Sequence, residues 1–349
     1  MVESTMLKTA IVTDRAYLKH FAGRSHPERP ERVAAMIEMA ESLRRPNLQI
    51  LAPRPATVKE IELCHGTDYI ASIKRSASGA RFDFDPDTHS CPETYATALL
   101  AAGGVLTAAE AVLDGEADNA FAIVRPPGHH ARPSRAMGFC FFNNVAIAAQ
   151  WLLKTRGLER VMIVDWDLHH GNGTQEIFYE SPRVLYASTH QYPHYPGTGS
   201  IHEMGAGPGT GYTVNAPMPA EYGDDDYLRF FDEFILPIGR KFKPEFIIVS
   251  CGFDCHFRDP LGDMRVSEDG FVAMTRRVKE LAAEYCDGAM IAALEGGYDL
   301  AALADSGRAV IDELGHEAGE PIAKARGGER VMPIIERAAR GVGKFWDLA

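Results

Sequence analysis

Two carboxylates and two imidazoles stand at the end of an apolar run of β-forming residues. Residues 161–170 read Val-Met-Ile-Val-Asp165-Trp-Asp167-Leu-His169-His170. Isolated buried carboxylates are costly unless their charge is compensated. Because side chains two positions apart in an extended segment point the same way, Asp167 and His169 could share one divalent metal ion. A solvated strand end would explain a single acid, but the combined Asp-x-Asp-x-His-His pattern favours a metal site.

Three further apolar runs end in residues that bind metals or transfer protons. In the first, two prolines and a glycine form a tight loop that presents adjacent imidazoles. In the last, a glycine pair permits close backbone approach beside a tyrosine. Each of these residues alone could be structural, but their coincidence at four strand ends indicates one shared site. The three runs end in Arg125-Pro-Pro-Gly128-His129-His130, in Cys251-Gly-Phe-Asp254 and in Glu295-Gly-Gly-Tyr298.

These residue types suit a metal-dependent hydrolase. Asp167, His169 and Asp254 form a mixed oxygen and nitrogen ligand set that is compatible with zinc. Zinc would lower the pKa of bound water towards about 7 and polarise a carbonyl group. The adjacent histidines could transfer protons near neutral pH, and the Tyr298 hydroxyl could donate to a tetrahedral oxyanion. The predicted chemistry is attack of activated water on an amide.

Strands that alternate with helices must position these residues. The alternation predicts an α/β fold with parallel strands and crossover helices. Ligands of such sheets bind at the carboxyl ends of the strands, where the long loops 125–141, 189–212 and 251–268 lie. No linker, charge block or repeat divides the chain, so a single domain is predicted over residues 1–349. The predicted strands are 9–13, 120–124, 161–165, 184–188, 246–250 and 290–294, and the predicted helices are 31–44, 92–113, 142–156, 225–241, 268–285 and 300–314.

The composition is that of a soluble globular protein. The 349 residues carry a formal net charge of −12, which argues against nucleic acid or an anionic membrane as a partner. Six cysteines without a Cys-x-x-Cys pair indicate a reducing compartment. Residues 1–9 lack the features of a signal peptide. We expect no apolar stretch that approaches the roughly 20 residues of a membrane span, and therefore a cytoplasmic location.

The motifs together resemble those of the zinc-dependent histone deacetylase family. The resemblance extends over about residues 9–315 and includes Gly138-Phe139-Cys-Phe-Phe-Asn, His169-His170-Gly-Asn172-Gly-Thr-Gln and Leu294-Glu-Gly-Gly-Tyr298. The last two resemble the class II branch and the related bacterial amidohydrolases. The resemblance implies the arginase–deacetylase fold, an α/β domain with a mostly parallel eight-stranded sheet and helices on both faces. Residues 316–349 would then form a closing segment, either a surface helix or an element of homo-oligomer assembly.

The resemblance also implies roles around one zinc ion. The zinc ligands of the family match Asp167, His169 and Asp254. The second of the tandem histidines matches a general base that then acts as acid, and the first matches its electrostatic partner. Asn172 stands where some relatives have Asp, and a neutral amide should leave the adjacent imidazole less basic. The implied catalytic residues are His129 with its partner Asp165, His130 with its partner Asn172, and Tyr298.

Relatives also bind potassium, or sodium, beneath the zinc. The resemblance implies an inner cation site and an outer one, which has little sequence signature because backbone carbonyls dominate it. The inner site would use Asp165, Asp167, His169, Ser188 and Thr189, and the outer site Phe178, Ser181, Val184 and Tyr212.

Arg32 matches an internal arginine near the acetate-release path, although a surface arginine that opens a helix is an equal alternative.

The resemblance further implies a substrate tunnel. Phe139 and Tyr195 match the aromatic pair that sandwiches the acyl-lysine methylenes, and Gly138 permits close approach. The usual residue at the position of Tyr195 is Phe, which leaves the preferred acyl group open. Leu261 matches a gate position at which polyamine-selective relatives carry Glu and acetyl-lysine-selective ones carry Leu. Three acids within 83–87 could hold a substrate backbone, with a solvated loop as the simpler alternative.

The expected activity is zinc-dependent removal of acetyl or other short acyl groups from lysine side chains, with acetylpolyamines as alternative substrates. A binuclear manganese ureohydrolase shares the fold, but its metal strands run Asp-x-His-x-Asp and Asp-x-Asp, unlike those of this chain. A non-catalytic acyl-lysine binding module is a further alternative. The intact ligand set, the paired histidines and Tyr298 favour the enzyme.

Overall fold

An eight-stranded, entirely parallel sheet forms the centre of the molecule. The computed structural model describes residues 6–79, 81–317 and 325–348, so parts of the N-terminal and closing-segment expectations lie outside the described residues. From one edge to the other, the strands are β2 (Leu48–Leu51), β1 (Thr9–Val12), β5 (Asn119–Ala122), β10 (Met290–Leu294), β9 (Phe246–Cys251), β6 (Val161–Asp165), β7 (Val184–Gln191) and β8 (Thr213–Met218). A separate antiparallel hairpin pairs β3 (Phe82–Asp85) with β4 (Thr88–Ser90).

The strand order brings the four polar strand ends together. β6, β7 and β8 extend the sheet to one edge, after which the chain returns and inserts β9 and β10 between β5 and β6. The parallel register places Asp165 and Ala293 on either side of Ser250. Consequently β5, β10, β9 and β6 are consecutive neighbours. The four segments that carry the predicted site residues therefore leave the sheet side by side.

Helices cover both faces of the sheet. They are α1 (Pro30–Ser42), α2 (Val58–Ile61), α3 (Thr67–Ser76), α4 (Thr94–Leu113), α5 (Asn144–Lys154), α6 (Asn172–Phe178), α7 (Asp224–Phe230), α8 (Leu236–Phe242), α9 (Glu268–Tyr285), α10 (Leu300–Leu314) and α11 (Met332–Arg340). α4 and α5 pack against each other and against the central strands, whereas α1, α9 and α10 pack together as a second group. Enclosure on both faces explains why the central strands are continuous apolar runs.

The predicted helices correspond closely to observed ones. α9 and α10 occupy the predicted ranges 268–285 and 300–314, and each begins after a side chain that accepts a backbone N–H. The predicted helix 225–241 is instead α7 and α8 joined by a π-helical turn, Phe231–Ile235. Pro237 lies in the first turn of α8, and because proline lacks an N–H the helix changes its hydrogen-bond register there.

Neither edge strand is among the predicted strands. β2 is only half-buried, so it lacks the continuous apolar run that marks the central strands. β8 contains Asn215 and Pro217, two residue types that are uncommon within strands. Proline is tolerated here because an edge strand pairs on one side only.

Helix α4 corrects one expectation. Thr94–Leu113 is 20 residues long and apolar enough to pass the length and composition test for a membrane span, so the expectation that no such stretch exists is wrong. In the fold, 67% of its most apolar window is buried. It packs against α5 and against β1, β5 and β10. Its apolar character is that of a core helix, which is hydrophobic on most sides.

The described part of the closing segment packs near the β8 edge. α11 contacts β8, and a short 3₁₀ helix, Val342–Trp346, follows it. The Trp346 indole Nε1 donates to the Gly211 carbonyl at 2.7 Å, and its ring packs edge-on against Tyr212. A closing helix is thus present, and its anchor is the buried indole.

Trp346→Ala should lower the free energy of unfolding by about 3 to 5 kcal/mol, because it removes a buried aromatic side chain. Urea denaturation followed by circular dichroism would measure the loss. Phe345→Ala is the matched control, since that neighbouring side chain is 53% exposed and Trp346 only 9%. The control should change stability by less than about 0.5 kcal/mol. Equal losses in both variants would contradict the anchoring role of the indole.

Candidate active site

Three potential metal ligands converge at the carboxyl ends of β6 and β9. Asp167 and His169 follow β6, and Asp254 follows the adjacent strand β9. One ligand atom from each lies within 4.8 Å of the others. His169 Nδ1 is 3.2 Å from Asp167 Oδ1 and 3.0 Å from Asp254 Oδ2. The structure thus brings together the triad that the sequence predicts, across two neighbouring strands.

The triad fits a divalent metal ion. Both carboxylates are fully buried, and the backbone N–H groups of Gly296 and Leu168 each bind one of their oxygens. The other two oxygens face His169 Nδ1, and Asp167 Oδ1 also accepts from the His169 backbone N–H at 2.9 Å. Two buried carboxylates that share one imidazole nitrogen still leave negative charge uncompensated. A cation between them would bind all three ligand atoms and compensate the buried charge. In the part of the chain that the structure describes, this is the one cluster of three such ligands, which disfavours a binuclear centre.

The tandem histidines lie beside this cluster and have different partners. His129 Nδ1 is 3.2 Å from Asp165 Oδ2, a carboxylate at the end of β6. His130 Nδ1 is 2.8 Å from Asn172 Oδ1, an amide oxygen that can only accept, while the amide nitrogen faces Met137 Sδ. His130 therefore carries its proton on Nδ1. Its Nε2 keeps a lone pair that can take a proton from a reacting group.

Burial and charge separate the pKa values of the two histidines. Burial, together with the nearby His129 and His169, holds the pKa of His130 well below its ordinary value. Burial also acts to lower the pKa of His129, but Asp167 and Asp165 outweigh that effect and raise it to about 10. Near neutral pH, His129 is therefore a cation and His130 a neutral imidazole. The second histidine is the one available as a base.

Tyr298 lines the same cavity as the two histidines. Burial raises the pKa of its hydroxyl well above the ordinary value, so the group stays protonated and can donate. The backbone N–H of Tyr298 donates to Asp259 Oδ2 at 2.6 Å, which fixes the segment after β10. A neutral hydroxyl held at the cavity wall can stabilise an oxyanion.

Arg32 is fully buried against this tyrosine. Its guanidinium carbon lies 4.7 Å from the centroid of the Tyr298 ring. Its Nε donates to the Gly297 carbonyl at 2.5 Å and its Nη2 to the Glu295 carbonyl at 2.6 Å. The alternative of a surface arginine is therefore wrong, because the whole side chain is enclosed. The contacts tie α1 to the segment that carries the tyrosine.

His129, His130, His169 and Tyr298 line a cavity of about 210 Å³. The Gly138 backbone has a φ of 56°, and a Cβ there would lie 2.3 Å from His130 Cδ2, so only glycine fits. The Phe139 N–H donates to Thr88 Oγ1 at 3.1 Å, so the β3–β4 hairpin supports this wall. All four residues that the sequence predicts for the tunnel line the cavity: Gly138, Phe139, Tyr195 and Leu261.

His194 and Asp259 are site residues that the sequence reasoning missed. His194 lines the cavity, and its ring centroid lies 5.2 Å from that of His169. Asp259 accepts from the backbone N–H groups of Leu261 at 3.0 Å and Tyr298 at 2.6 Å, so one carboxylate holds two walls of the cavity. Its Asp-Pro dipeptide is a turn signal that could have indicated this role. A single histidine in a loop carries no comparable signal.

The acids at the rim divide between two environments. Asp87 lines the cavity, whereas Asp83 is exposed and pairs with Arg81 at 2.7 Å. The solvated-loop alternative therefore describes Asp83 and not Asp87.

Deeper in the fold, the side chains of Thr198 and Gln175 bind the His170 imidazole, which gives His170 a structural position outside the cavity.

The residues predicted for the inner cation site lie together at the ends of β6 and β7. Asp165 and Ser188 are opposite each other in the parallel register, and Thr189 follows on β7. His190 Nε2 donates to the Gly199 carbonyl, so its Nδ1 accepts the Ser188 hydroxyl proton at 2.9 Å. The serine oxygen keeps lone pairs for a cation. The predicted outer-site residues, Phe178, Ser181, Val184 and Tyr212, lie around the start of β7. Both cation sites stay predictions.

Comparisons with known proteins assign the class to which this fold and site belong. Residues 26–314 match the family model for the histone deacetylase domain. The chain is 44% identical over 332 residues to a "Probable deacetylase" of Archaeoglobus fulgidus, which covers 94% of this chain and 91% of the relative. It is 38% identical over 299 residues to the "Histone deacetylase-like amidohydrolase" of Pseudomonas aeruginosa, which covers 84% of this chain and 78% of the relative. The crystal structure of the HDA15 HD domain matches with a TM-score of 0.89 at 36% identity, over 98% of this chain and 96% of that one.

The molecule is thus a hydrolase with the arginase–deacetylase fold, as the sequence predicts, and its sheet is entirely rather than mostly parallel. The chain belongs to the histone deacetylase family. The names of its relatives support deacetylation as the general reaction.

Gly138→Ala should lower kcat by about 10²-fold, because the added methyl group displaces the His130 ring by an ångström or more. Turnover of an acetyl-lysine peptide would measure the loss. Gly157→Ala is the matched control, since Gly157 also has a positive φ, 78°, but a Cβ there meets no atom within 4 Å. Both variants share the backbone strain. If the two lost activity equally, strain rather than the clash would be the cause.

Asn172→Asp should raise the pKa of His130 by about one to three units, because a carboxylate favours the protonated imidazole. The base form would then appear only at higher pH. The acidic limb of the kcat/KM profile should therefore move to higher pH by the same amount. A profile measured from pH 5 to 9 on both proteins would show this. An unchanged acidic limb would exclude His130 as the group that titrates there.

Proposed function

We propose that the protein is a zinc-dependent amidohydrolase that removes acetyl or other short acyl groups from lysine side chains. One observation carries the proposal. The amide of Asn172 holds His130 as a neutral base, next to the triad Asp167, His169 and Asp254 and across the cavity from Tyr298. A base, a ligand set and an oxyanion donor around one cavity are the parts that amide hydrolysis requires.

The side chains of the site can be assigned to steps of this reaction. A zinc ion bound by the triad would polarise the amide carbonyl and lower the pKa of water. His130 Nε2 removes a proton from the attacking water, because Asn172 keeps Nδ1 protonated. The cationic His129, held by Asp165, stabilises the developing negative charge. Tyr298 donates a hydrogen bond to the oxyanion, and His130 then passes its proton to the leaving amine.

The cavity walls support a lysine side chain as the leaving group. Phe139 and Tyr195 are aromatic residues that can bind its methylene chain, and Leu261 adds an apolar residue at the same cavity. Apolar walls favour a neutral aliphatic stem and exclude bulk water from the reacting amide. The leaving amine then departs along the same apolar surface.

Acetylpolyamines are the second candidate substrates. The observation that favours them is Asp87, a carboxylate that lines the same cavity as Leu261. A free amine of an acetylated polyamine could pair with this carboxylate. In an acyl-lysine peptide, the same group would instead accept a backbone N–H.

Potassium or sodium binding, a homo-oligomeric state and a cytoplasmic location stay predictions from the sequence.

Acetate release would test the proposed function directly. The substrates to compare are acetyl-lysine peptides, longer acyl-lysine peptides and acetylated polyamines, each with and without a chelator. We expect fastest release from acetyl-lysine peptides, loss of activity with the chelator, and one zinc ion per chain. Faster polyamine turnover would reverse the order of the two candidates. Two manganese ions per chain would indicate a ureohydrolase, and peptide binding without release would indicate a binding module.

Tyr298→Phe should lower kcat by about 10²- to 10³-fold, on the scale of a lost oxyanion donor. The ring stays, so its contact with Arg32 is retained and the metal content should be unchanged. Elemental analysis and acetate release on the same sample would check both expectations. Near-normal turnover of this variant would refute the role of the hydroxyl.

A further inference from the structure

Glu295 is a buried carboxylate to which the motif reasoning assigns no role. It follows the last residue of β10 and is 1% exposed. Burial raises its pKa to about 7, although the nearby His129 opposes the shift. A carboxyl group buried at a reaction centre is costly unless several donors bind it. The donors that bind Glu295 indicate what it does.

The side chain crosses from β10 to the loop that carries the tandem histidines. One carboxylate oxygen, Oε2, accepts from the backbone N–H of Gly128 at 2.7 Å and from that of His129 at 3.2 Å. The other oxygen, Oε1, accepts from the Ser250 hydroxyl of β9 at 3.3 Å. Two consecutive backbone N–H groups on one carboxylate oxygen define the positions of the two peptide units on either side of Gly128.

The other backbone contacts of this loop come from neutral donors to its carbonyls, and the shortest to His129 is the Thr174 backbone N–H at 3.1 Å. The Asn143 amide Nδ2 donates to the His129 carbonyl at 3.4 Å and to the Ala131 carbonyl at 3.3 Å. Asp165 holds the His129 ring, but only through the side chain. The Gly128 and His129 N–H groups are buried, so without Glu295 they would lack an acceptor and the loop would shift to find one.

We infer that Glu295 is a positioning residue, which fixes the backbone of the loop at 128–130 so that both imidazoles face the reacting amide. The inference rests on the proposed function for its catalytic readout. The Glu295 side chain does not line the cavity, and its hydrogen bonds reach the tandem histidines through the two peptide units on either side of Gly128. The Glu295 side chain does not hold the tunnel walls, because Thr88 binds the backbone of Phe139 and Asp259 binds those of Leu261 and Tyr298.

Two substitutions separate geometry from charge. Glu295→Gln keeps an oxygen that can accept from both N–H groups, while it removes the negative charge. Glu295→Ala removes the acceptor altogether. We expect Glu295→Ala to lower kcat by about 10²-fold, the scale of an ångström-sized misplacement, with KM for an acetyl-lysine peptide and zinc content within about threefold of wild type. Glu295→Gln should restore kcat to within about threefold of wild type.

Glu313→Ala is the matched control for the loss of a buried glutamate. Glu313 is buried on α10, where it binds Arg276 and Lys279, away from the cavity. The control should lower Tm while kcat stays normal. If Glu295→Ala behaved like this control, Glu295 would be structural only. If Glu295→Gln were as impaired as Glu295→Ala, its charge and not its acceptor geometry would matter, and the inference would be overturned.

Amide hydrogen exchange gives a readout that does not need turnover. The Gly128 and His129 amides should exchange slowly in wild type and in Glu295→Gln, and about 5- to 150-fold faster in Glu295→Ala, the factor that corresponds to a lost buried hydrogen bond of about 1 to 3 kcal/mol. Unchanged protection in Glu295→Ala would overturn the inference. Failure of wild-type acetate release would contradict the proposed function alone, because the exchange experiment stands without it.

Discussion

Concentrated negative charge inside the protein is the constraint on which the rest of the structure depends. Asp165, Asp167, Asp254 and Glu295 are all 0 to 1% exposed and lie at the ends of three adjacent strands. Uncompensated, this charge would cost far more than the few kcal/mol by which a domain is stable. The compensation comes from backbone N–H groups, from the cationic His129 and, as proposed, from zinc. The geometry that makes the site reactive is therefore also the geometry that makes it tolerable.

The order of the strands creates this concentration. Because β9 and β10 insert between β5 and β6, residues far apart in the chain become neighbours at one edge of the sheet. His129, Asp167 and Asp254 follow strands that lie close together in the sheet, so the fold itself brings their side chains together. Helices on both faces enclose the central strands, and His129, His130, His169 and Tyr298 line the cavity where these strands end. The sheet thus supplies both the convergence of the groups and the exclusion of water around them.

The sequence predicts the centre of the site better than its supports. Asp167, His169 and Asp254 stand out because acids and imidazoles directly after apolar runs need an explanation, and the runs themselves indicate strands. Strand order leaves no such trace, so the adjacency of β10 to both β5 and β9 could not be predicted. The role of Glu295 could not be predicted for a different reason. Its partners are two backbone N–H groups, which almost any residue could supply, so they leave no sequence pattern. α4 shows a different error, since its apolar stretch is longer than expected, and a mostly buried core helix can match a membrane span in length and composition.

The shared carboxylate of Asp259 has a consequence for selectivity. It binds the backbone of Leu261 on one wall and of Tyr298 on another, so neither wall can shift without changing the other. A substrate that forces the apolar wall outward would also withdraw the hydroxyl from the developing oxyanion. Discrimination between acyl groups would then appear as slower turnover rather than weaker binding. With such a coupling, a substrate with an unsuitable acyl group could bind in the cavity and still be hydrolysed slowly.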